Sequence, residues 1–371
     1  MSSRSYDAVV VGGGIVGAAC VASLSREGLK VALVERDLIG GGATAAGMGH
    51  IVVMDDSEAQ FALTRYSQEL WMKLRPELPA EAEYQPCGTL WIAADEEEMT
   101  EVRRKHGYYS ERNVPVEIVD RELVPRLEPN LRPGMAGALR VPDDAVVYPP
   151  CVARFLSGYA QELISERVAR IEEGAAVLSN GARVSAGVIV NATGAWATEL
   201  TPGLEIKRRK GHLVITDRYP TFVRHQLVEL GYLKSAHSVG ADSVAFNVQP
   251  RATGQMLIGS SRQYGVEDSR VDNVILSRML QRALEYMPGL AQTHAIRTWT
   301  GFRAATPDKL PLIGPVPDSK ALFLATGHEG LGITTSLGTA ALLTDQVMGR
   351  SSAIPREPYL PARTFSEHAH V

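Results

Sequence analysis

Three glycines at fixed spacing, Gly12-x-Gly14-x-x-Gly17, constrain the fold of this chain more than any other feature. They follow a continuously apolar run at 7–11, the pattern of a parallel strand buried on both faces. They open a stretch at 15–26 of small and apolar residues suited to a helix packed tightly on a sheet. Gly28 ends that helix, and a second strand at 31–34 finishes at Glu35, 18 residues after Gly17. Such a β-α-β unit is built to hold a dinucleotide. Gly12 allows the tight turn, Gly14 lets backbone approach a pyrophosphate, and Gly17 lets helix and strand touch. The helix start at Ile15 and Val16 offers N–H donors and a partial positive charge to phosphates. Glu35, followed by Arg36, stands where ribose hydroxyls need an acceptor. The alternative is a glycine-rich turn that binds nothing; strand, helix, spacing and acid occurring together argue against it.

The rest of the chain is long enough for more than that unit. At 371 residues it exceeds the roughly 250–300 at which a single core stops growing, so two domains are expected. Apolar residues at 45% and charged residues at 22% are those of an ordinary globular enzyme. A net charge of −4 removes the usual electrostatic reason to expect nucleic acid. No apolar run reaches the roughly 18 residues of a membrane span, and the N-terminal apolar run meets glycines where a secretory signal has a cleavage site. Cys20, Cys87 and Cys151 lie far apart, with no disulfide framework, metal pair or iron–sulfur ligand set among them. No metal is expected, and the reducing cytoplasm is the expected location.

Further along, helical periodicity is expected at about 58–74, strand alternation at 83–94 and a charged amphipathic helix at 95–112. Residues 115–150 read as rich in proline and turns, and 152–164 as helical. Strands are expected at 168–177, 183–190 and in a strand-rich region at 211–262. A helix at 271–287, a strand at 322–325 and a small-residue helix ending at Gly349 complete the pattern. The tail from Ser351 reads as an extension. The expected fold class is α/β: a Rossmann-type domain from 1–80, 141–210 and 300–371, and a mixed-sheet α+β substrate domain from 81–140 and 211–299.

Three distant segments argue that the dinucleotide is FAD and not NAD. One is the loop holding Gly42, Ala43, Thr44, Ala46, Gly47, Met48 and Gly49; a second is the turn Ala192-Thr193-Gly194-Ala195-Trp196; the third is the turn from Gly327 to Gly332. Each ends a strand or precedes a helix, and a doubly wound sheet gathers such ends along one side, where ligands bind. A glycine turn entering the last helix directs N–H groups and a positive dipole end at a flavin ring.

The ordered set of motifs resembles the D-amino-acid-oxidase-like superfamily of flavoproteins. It runs from Val9-Val10-Val11-Gly12-Gly13-Gly14-Ile15-Val16-Gly17 through Ala192-Thr193-Gly194-Ala195-Trp196 and Trp299-Thr300-Gly301-Phe302-Arg303. It ends in 306–314 and Ala325-Thr326-Gly327-His328. The resemblance covers essentially the whole chain. Within the superfamily the chain is similar to glycine oxidase, sarcosine oxidase β-subunits and the flavin subunits of D-hydroxyproline dehydrogenases, with the segment 44–56 most like the last. The resemblance implies FAD contacts from Val168, Gly301, Gly330, Leu331, Gly332, Ile333 and Thr334 as well. No cysteine stands near the C-terminal motifs where some relatives tether the flavin, so binding is expected to be non-covalent.

An amine-oxidising flavin site has to clamp a carboxylate, aim the Cα–H at the flavin and exclude water. Arg303 is the clamp candidate, because its planar fork binds a carboxylate bidentately. The family holds the substrate carboxylate with an arginine at this Gly-x-Arg position, often followed by proline, where this chain has Ala304. An arginine paired with an internal acid is the alternative. His50 and His328 border the glycine loops and are candidates for hydrogen bonds to substrate. Asn247 and Gln249 are placed near the substrate by the resemblance, and Tyr232 by its loop-like setting. The basic run Lys207-Arg208-Arg209-Lys210 reads as solvated surface, or as a contact to a cofactor phosphate or partner subunit. The expected activity is oxidation of a small D- or secondary amino acid, D-hydroxyproline or D-proline-like, with electrons passed to partner subunits. A self-sufficient oxidase of glycine or sarcosine type and a 2-hydroxyacid dehydrogenase are the alternatives.

Overall fold

The glycine turn lies at the C-terminal end of a central parallel strand. In the computed structural model, which describes residues 4–231 and 242–365, Arg4–Val11 pairs in parallel with Val31–Glu35 on one side and Arg183–Asn191 on the other. The full order is Leu312–Pro315, Leu322–Thr326, Arg183–Asn191, Arg4–Val11, Val31–Glu35 and Glu162–Ser165. Only its first pairing on this path is antiparallel. The helix Ile15–Arg26 makes the crossover from first strand to second, and Glu27 and Gly28, the latter at φ +86°, close it. Val9, Val11, Ala32 and Val34 pack against Ala176 and Leu178 of the hairpin formed by Val168–Glu172 and Ala175–Leu178. Ala8 and Val10 point the other way by strand alternation and are equally buried, which explains the unbroken apolar run. Three helices, Ile15–Arg26, Gly332–Val347 and Glu58–Leu74, pack in succession, the last two so closely that a Cβ on Gly338 would lie 2.3 Å from Ser67 Oγ.

These elements form one of two compact units: the chain up to Ala82, Tyr148–Arg208, and the chain from Phe302. The other unit comprises Glu83–Val147 and Arg209–Gly301. Its strands follow the order Ala295–Ala305, Lys207–Thr216, Met256–Arg262, Ser243–Pro250, Gln226–Glu229, Thr89–Ala93, Gly137–Val141 and Glu117–Asp120. Gln226–Glu229 is parallel to Thr89–Ala93 and antiparallel to Ser243–Pro250, so the sheet is mixed. On one face Leu90, Ile92, Leu227, Phe246, Val248 and Ile258 meet Met279, Ala283 and Tyr286 of the helix Asn273–Tyr286. The rings of Phe246 and Tyr286 stack with centroids 4.5 Å apart. On the other face lies the helix Glu96–Glu111, capped by Asp95, with Lys105 Nζ 5.2 Å from the ring centre of Trp91.

Several expectations give way here. The turn-rich region 115–150 contains Glu117–Asp120, Gly137–Val141 and Ala145–Val146 as strands. The expected helix at 152–164 starts earlier, at Pro149, and stops at Ser157; Glu162–Ser165 is instead the outer strand of the first sheet, pairing with Val31–Glu35. The stretch 168–177 is broken into a hairpin by Gly174 at φ +72°. Thr89–Ala93 does not alternate, since all its residues are buried between the core on one side and a helix on the other. The basic run is only half solvated: it begins the strand Lys207–Thr216 with Lys207 exposed and Arg208 half-buried, but Arg209 and Lys210 are buried, with Lys210 Nζ 3.4 Å from Asp268. Among the described residues no helix is long and apolar enough to cross a membrane.

Gly137 tests the packing of the second sheet. A Cβ there would lie 2.6 Å from both Met99 Sδ and the carbonyl oxygen of Val119. Gly137→Ala is expected to cost about 1–3 kcal/mol, read as a thermal midpoint lower by several degrees. A midpoint equal to wild type would show that this contact yields.

Candidate functional site

The first helix begins without a side-chain cap and with no acidic residue in its first turn. Its opening N–H groups therefore need acceptors from elsewhere. Thr44 Oγ1 accepts from Ile15 N at 3.0 Å, while those of Val16 and Gly17 have no acceptor within the helix. Gly17 is required by the fold itself: a Cβ there would lie 1.9 Å from the carbonyl oxygen of Gly12. Gly12, at φ +105°, is likewise pressed against Ala192, whose oxygen would be 2.7 Å from a Cβ. Gly14 differs. Its φ of −66° suits any residue, and the nearest atom to a Cβ would be Thr44 Oγ1 at 3.3 Å. A Cβ at Gly14 would press on that one hydroxyl and on no backbone, and a cradle of that shape beside uncapped N–H groups fits a pyrophosphate.

Glu35 closes the cradle. Its carboxylate accepts from Gly13 N at 2.6 Å and from Asp37 N at 2.8 Å, one bond to each oxygen, leaving a further lone pair on each for ribose hydroxyls. Arg36 and Arg208 lie over the ring of Trp196, 5.4 and 5.5 Å from its centre. Thr193 and its turn are held by Asn191, whose Oδ1 accepts from Thr193 N and Oγ1 and whose Nδ2 donates to Ala197 O and Thr201 Oγ1. Gly194, at φ +61°, receives a bond from Thr326 Oγ1 on its carbonyl oxygen. Val168 belongs to the apolar cluster of the first sheet.

The last helix also starts uncapped, after Leu331, with no acidic residue in its first turn. Its start is clamped to the 42–50 loop. Gly42–Ala45 form one helical turn closed by Ala46; Gly47 lies so close to Ile333 that a Cβ would be 2.7 Å from its Cδ1. Thr334 Oγ1 donates to the carbonyl oxygen of His50 at 2.8 Å, and Trp71 Nε1 donates to the carbonyl oxygen of Thr334 at 2.9 Å. Met48 and Gly49 complete this loop beside the helix start. Trp71 carries no motif; only the helical period of 58–74, which puts it on the buried face, hinted at it.

Arg303 runs along the backbone of Gly330, where a Cβ would be 3.5 Å from its Nε and 3.6 Å from its Cδ. The strand end carrying Arg303 pairs with His328-Glu329 through Ala304 and Ala305. His328 is 7% exposed. Its ring turns into the interior, with Nε2 2.9 Å from Thr339 Oγ1, and burial pushes its pKa down to about 3. A neutral, enclosed imidazole packs against the last helix. His50 is half-buried, and its clearest contact is through its main chain. In the other unit, Asn247 and Gln249 share the sheet face opposite Phe246 and Val248. Gly301 lies on the strand Ala295–Ala305. Tyr232 lies outside the described residues.

Comparison with known proteins agrees with this geometry. A family model described as FAD dependent oxidoreductase (DAO) matches residues 7–346. Glycine oxidase of Geobacillus kaustophilus is 27% identical, over 96% of this chain and 97% of its own. Hydrogen cyanide synthase subunit HcnC of Pseudomonas aeruginosa is 28% identical, over 100% and 99%. The crystal structure of the Geobacillus kaustophilus glycine oxidase superposes with a TM-score of 0.87 at 26% identity, covering 97% of this chain and 99% of that one. L-proline dehydrogenase from P. horikoshii shares the fold with a TM-score of 0.87 at 23% identity, covering 98% of each chain.

Two glycines separate the needs of the fold from those of the ligand. Gly14→Ala is expected to fold with an apoprotein thermal midpoint near wild type and to purify with little dinucleotide. Gly17→Ala is expected to lower the apoprotein midpoint itself, by the equivalent of about 1–3 kcal/mol. Full dinucleotide content in Gly14→Ala would move the phosphates elsewhere.

His328 carries a pH consequence. Its folded-state pKa lies below the ordinary 6.5, so between about 6.5 and about 3 the unfolded chain binds the extra proton. Its contribution is complete above 6.5 and is lost as pH falls through that window, by at most about 1.4 kcal/mol per pH unit. His328→Gln, which keeps a partner for Thr339, should make the thermal midpoint fall less steeply from pH 6.5 to 5. An unchanged slope would place the acid sensitivity in other groups.

Proposed function

We propose, from the premise that this chain belongs to the family of FAD-dependent oxidoreductases, that it oxidises the Cα–N bond of a small D- or secondary amino acid and passes the electrons to a partner protein or quinone-type acceptor. A hydroxyproline or proline ring of D configuration is the substrate class that this reading favours. The observation that carries it is Arg303 lying against Gly330, just before the uncapped start of the last helix. A fork for a carboxylate stands there beside N–H groups that favour developing negative charge. In this reading the first unit holds FAD non-covalently through the 12–17 turn, Glu35, the 42–50 loop, the 192–196 turn and the 330–334 helix start. Asn247 and Gln249 are retained as candidates for substrate contact, from the family resemblance alone. The three cysteines are unbridged, in keeping with work in the reducing cytoplasm.

Bound FAD supplies an acceptor for a hydride. The chain's own residues have the simpler tasks of holding the carboxylate and setting the Cα–H direction. No strong base is required, because an amine that reaches its neutral form releases hydride from Cα without losing a proton to the enzyme first. The enclosure of His328 accords with that economy. It also weighs against a 2-hydroxyacid dehydrogenase, in which an alcohol proton has to be taken by a base. A second reading, a self-sufficient oxidase that reduces oxygen to peroxide, is favoured by the likeness to glycine oxidase. The likeness to a named subunit of hydrogen cyanide synthase favours a chain that works with partners.

Arg303→Lys tests the clamp. A point charge cannot replace a bidentate fork, so kcat/KM is expected to fall on the order of a hundredfold or more while FAD content stays at wild-type level. An unchanged kcat/KM would remove Arg303 from substrate binding. Mixing the reduced enzyme with oxygen separates the two acceptors: slow reoxidation beside rapid dye reduction supports transfer to a partner, and peroxide formed at turnover speed supports the oxidase.

A further inference from the structure

Among the described residues the second sheet has a long bare edge. The strand Ala295–Ala305 stands beside Lys207–Thr216, and on its outer side it pairs only at Ala304 and Ala305, with Glu329 and His328. No described strand covers that side from 295 to 303. The part that belongs to the second unit, 295–301, therefore presents a row of main-chain donors and acceptors longer than an average strand. Its side chains stand in solvent as well: Ala295, Ile296, Arg297 and Thr298 are exposed, Ile296 by 56%. Three other end strands carry devices that discourage pairing. Leu312–Pro315 ends in a proline, while Glu162–Ser165 and Glu117–Asp120 are short and begin with an acid, and the latter also ends with one. Between 295 and 301 there is no proline and no acid. The one charge there, on Arg297, lies over the ring of Trp299, its guanidinium carbon 5.6 Å from the ring centre.

We propose that this edge pairs with the same edge of a second copy of the chain, antiparallel and centred on Thr298, so that two sheets join across a two-fold axis. Any strand could supply main-chain bonds; this sequence favours its own copy because it is complementary to itself. In the centred register Thr298 stands opposite Thr298 of the second copy, Arg297 opposite Trp299, Ile296 opposite Thr300 and Ala295 opposite Gly301. Residues directly opposite share a face, and such pairs are the unit of sheet stabilisation. The stack that Arg297 and Trp299 make within one chain is thus repeated between chains, two threonine hydroxyls meet at the axis, and Ile296 is withdrawn from water. No like charges are opposed. Centring the pair on Arg297 instead would set two guanidinium groups against each other. A two-fold contact satisfies the row on both copies at once and closes, so it makes a dimer and not a fibre. Seven residues a side make a small interface, which forms with rising concentration. The inference stands on the second sheet alone and is independent of the reaction proposed above.

The test is sedimentation equilibrium of the full-length holoenzyme from about 1 to about 300 µM. Wild type is expected to pass from monomer toward dimer over that range. Thr298→Lys and Thr298→Glu each oppose two like charges at the axis, and each is expected to weaken association about fivefold or more. Mixed in equal amounts, the two variants oppose unlike charges there, and the mixture is expected to associate more tightly than either alone. Position 298 is exposed, so both variants are expected to fold; FAD content and thermal midpoint report whether they have. A nitroxide on Thr298→Cys gives a second measurement that needs no charge change. The two attachment points lie about 5 Å apart in the paired edge, so concentrating the labelled protein is expected to broaden its spectrum, and the label-treated wild type is not. A wild type that stays monomeric throughout overturns the inference. So does association that neither charged substitution weakens, a mixture no tighter than its components, or a dimer whose labels at 298 do not sense each other.

Discussion

The contact between the first strand and the first helix, made with no side chain between them, is what the rest of the first unit depends on. With the carbonyl oxygen of Gly12 1.9 Å from where a Cβ on residue 17 would lie, the helix has to start directly above the strand end. Everything placed around that start is tied to backbone. Gly40 N donates to the carbonyl oxygen of Gly13, Ala192 N to that of Val11, and Gly12 N to that of Val34. Three loops from separate parts of the sequence are thus referenced to one turn. Because the references are main-chain bonds on strands buried on both faces, side-chain variation in the loops leaves their positions unchanged.

A second tie joins the two ends of that unit. The bond from Thr334 to the carbonyl oxygen of His50 spans 284 residues, and Trp71 holds Thr334 from the opposite side. The helix start beside Arg303 is therefore fixed by the 42–50 loop and by the helix Glu58–Leu74 together. Displacing that helix would shift the start of the last helix and the 42–50 loop together.

Legibility in the sequence follows the range of the interactions. The β-α-β unit, the helices Glu58–Leu74 and Glu96–Glu111 and the final helix were all readable, because spacing, capping and periodicity are local. The tight approach of strand and helix was readable for the same reason: glycine at 12 and 17 leaves its trace in one short stretch. Glu162–Ser165 was not, since its strand character comes from pairing with Val31–Glu35, more than a hundred residues away. The burial of Arg209 and Lys210 was hidden too, because charge in a sequence signals solvent until a partner such as Asp268 is known. His328 shows the limit most clearly. Its neighbours place it correctly beside a glycine turn, but the direction of its ring is set by Thr339, one helix away.

Gly14 and Gly17 stand three residues apart and answer to different masters. Gly17 is held by the backbone above it; Gly14 would meet only the Thr44 hydroxyl, at 3.3 Å. In a lineage that kept this architecture but lost its nucleotide, position 17 would stay glycine for as long as the fold survived. Position 14 would be released at once and would accept alanine or serine by drift. The pair is therefore a clock with one stopped hand: reading residue 14 against residue 17 in a descendant chain tells whether the ligand, and not merely the fold, has been under selection.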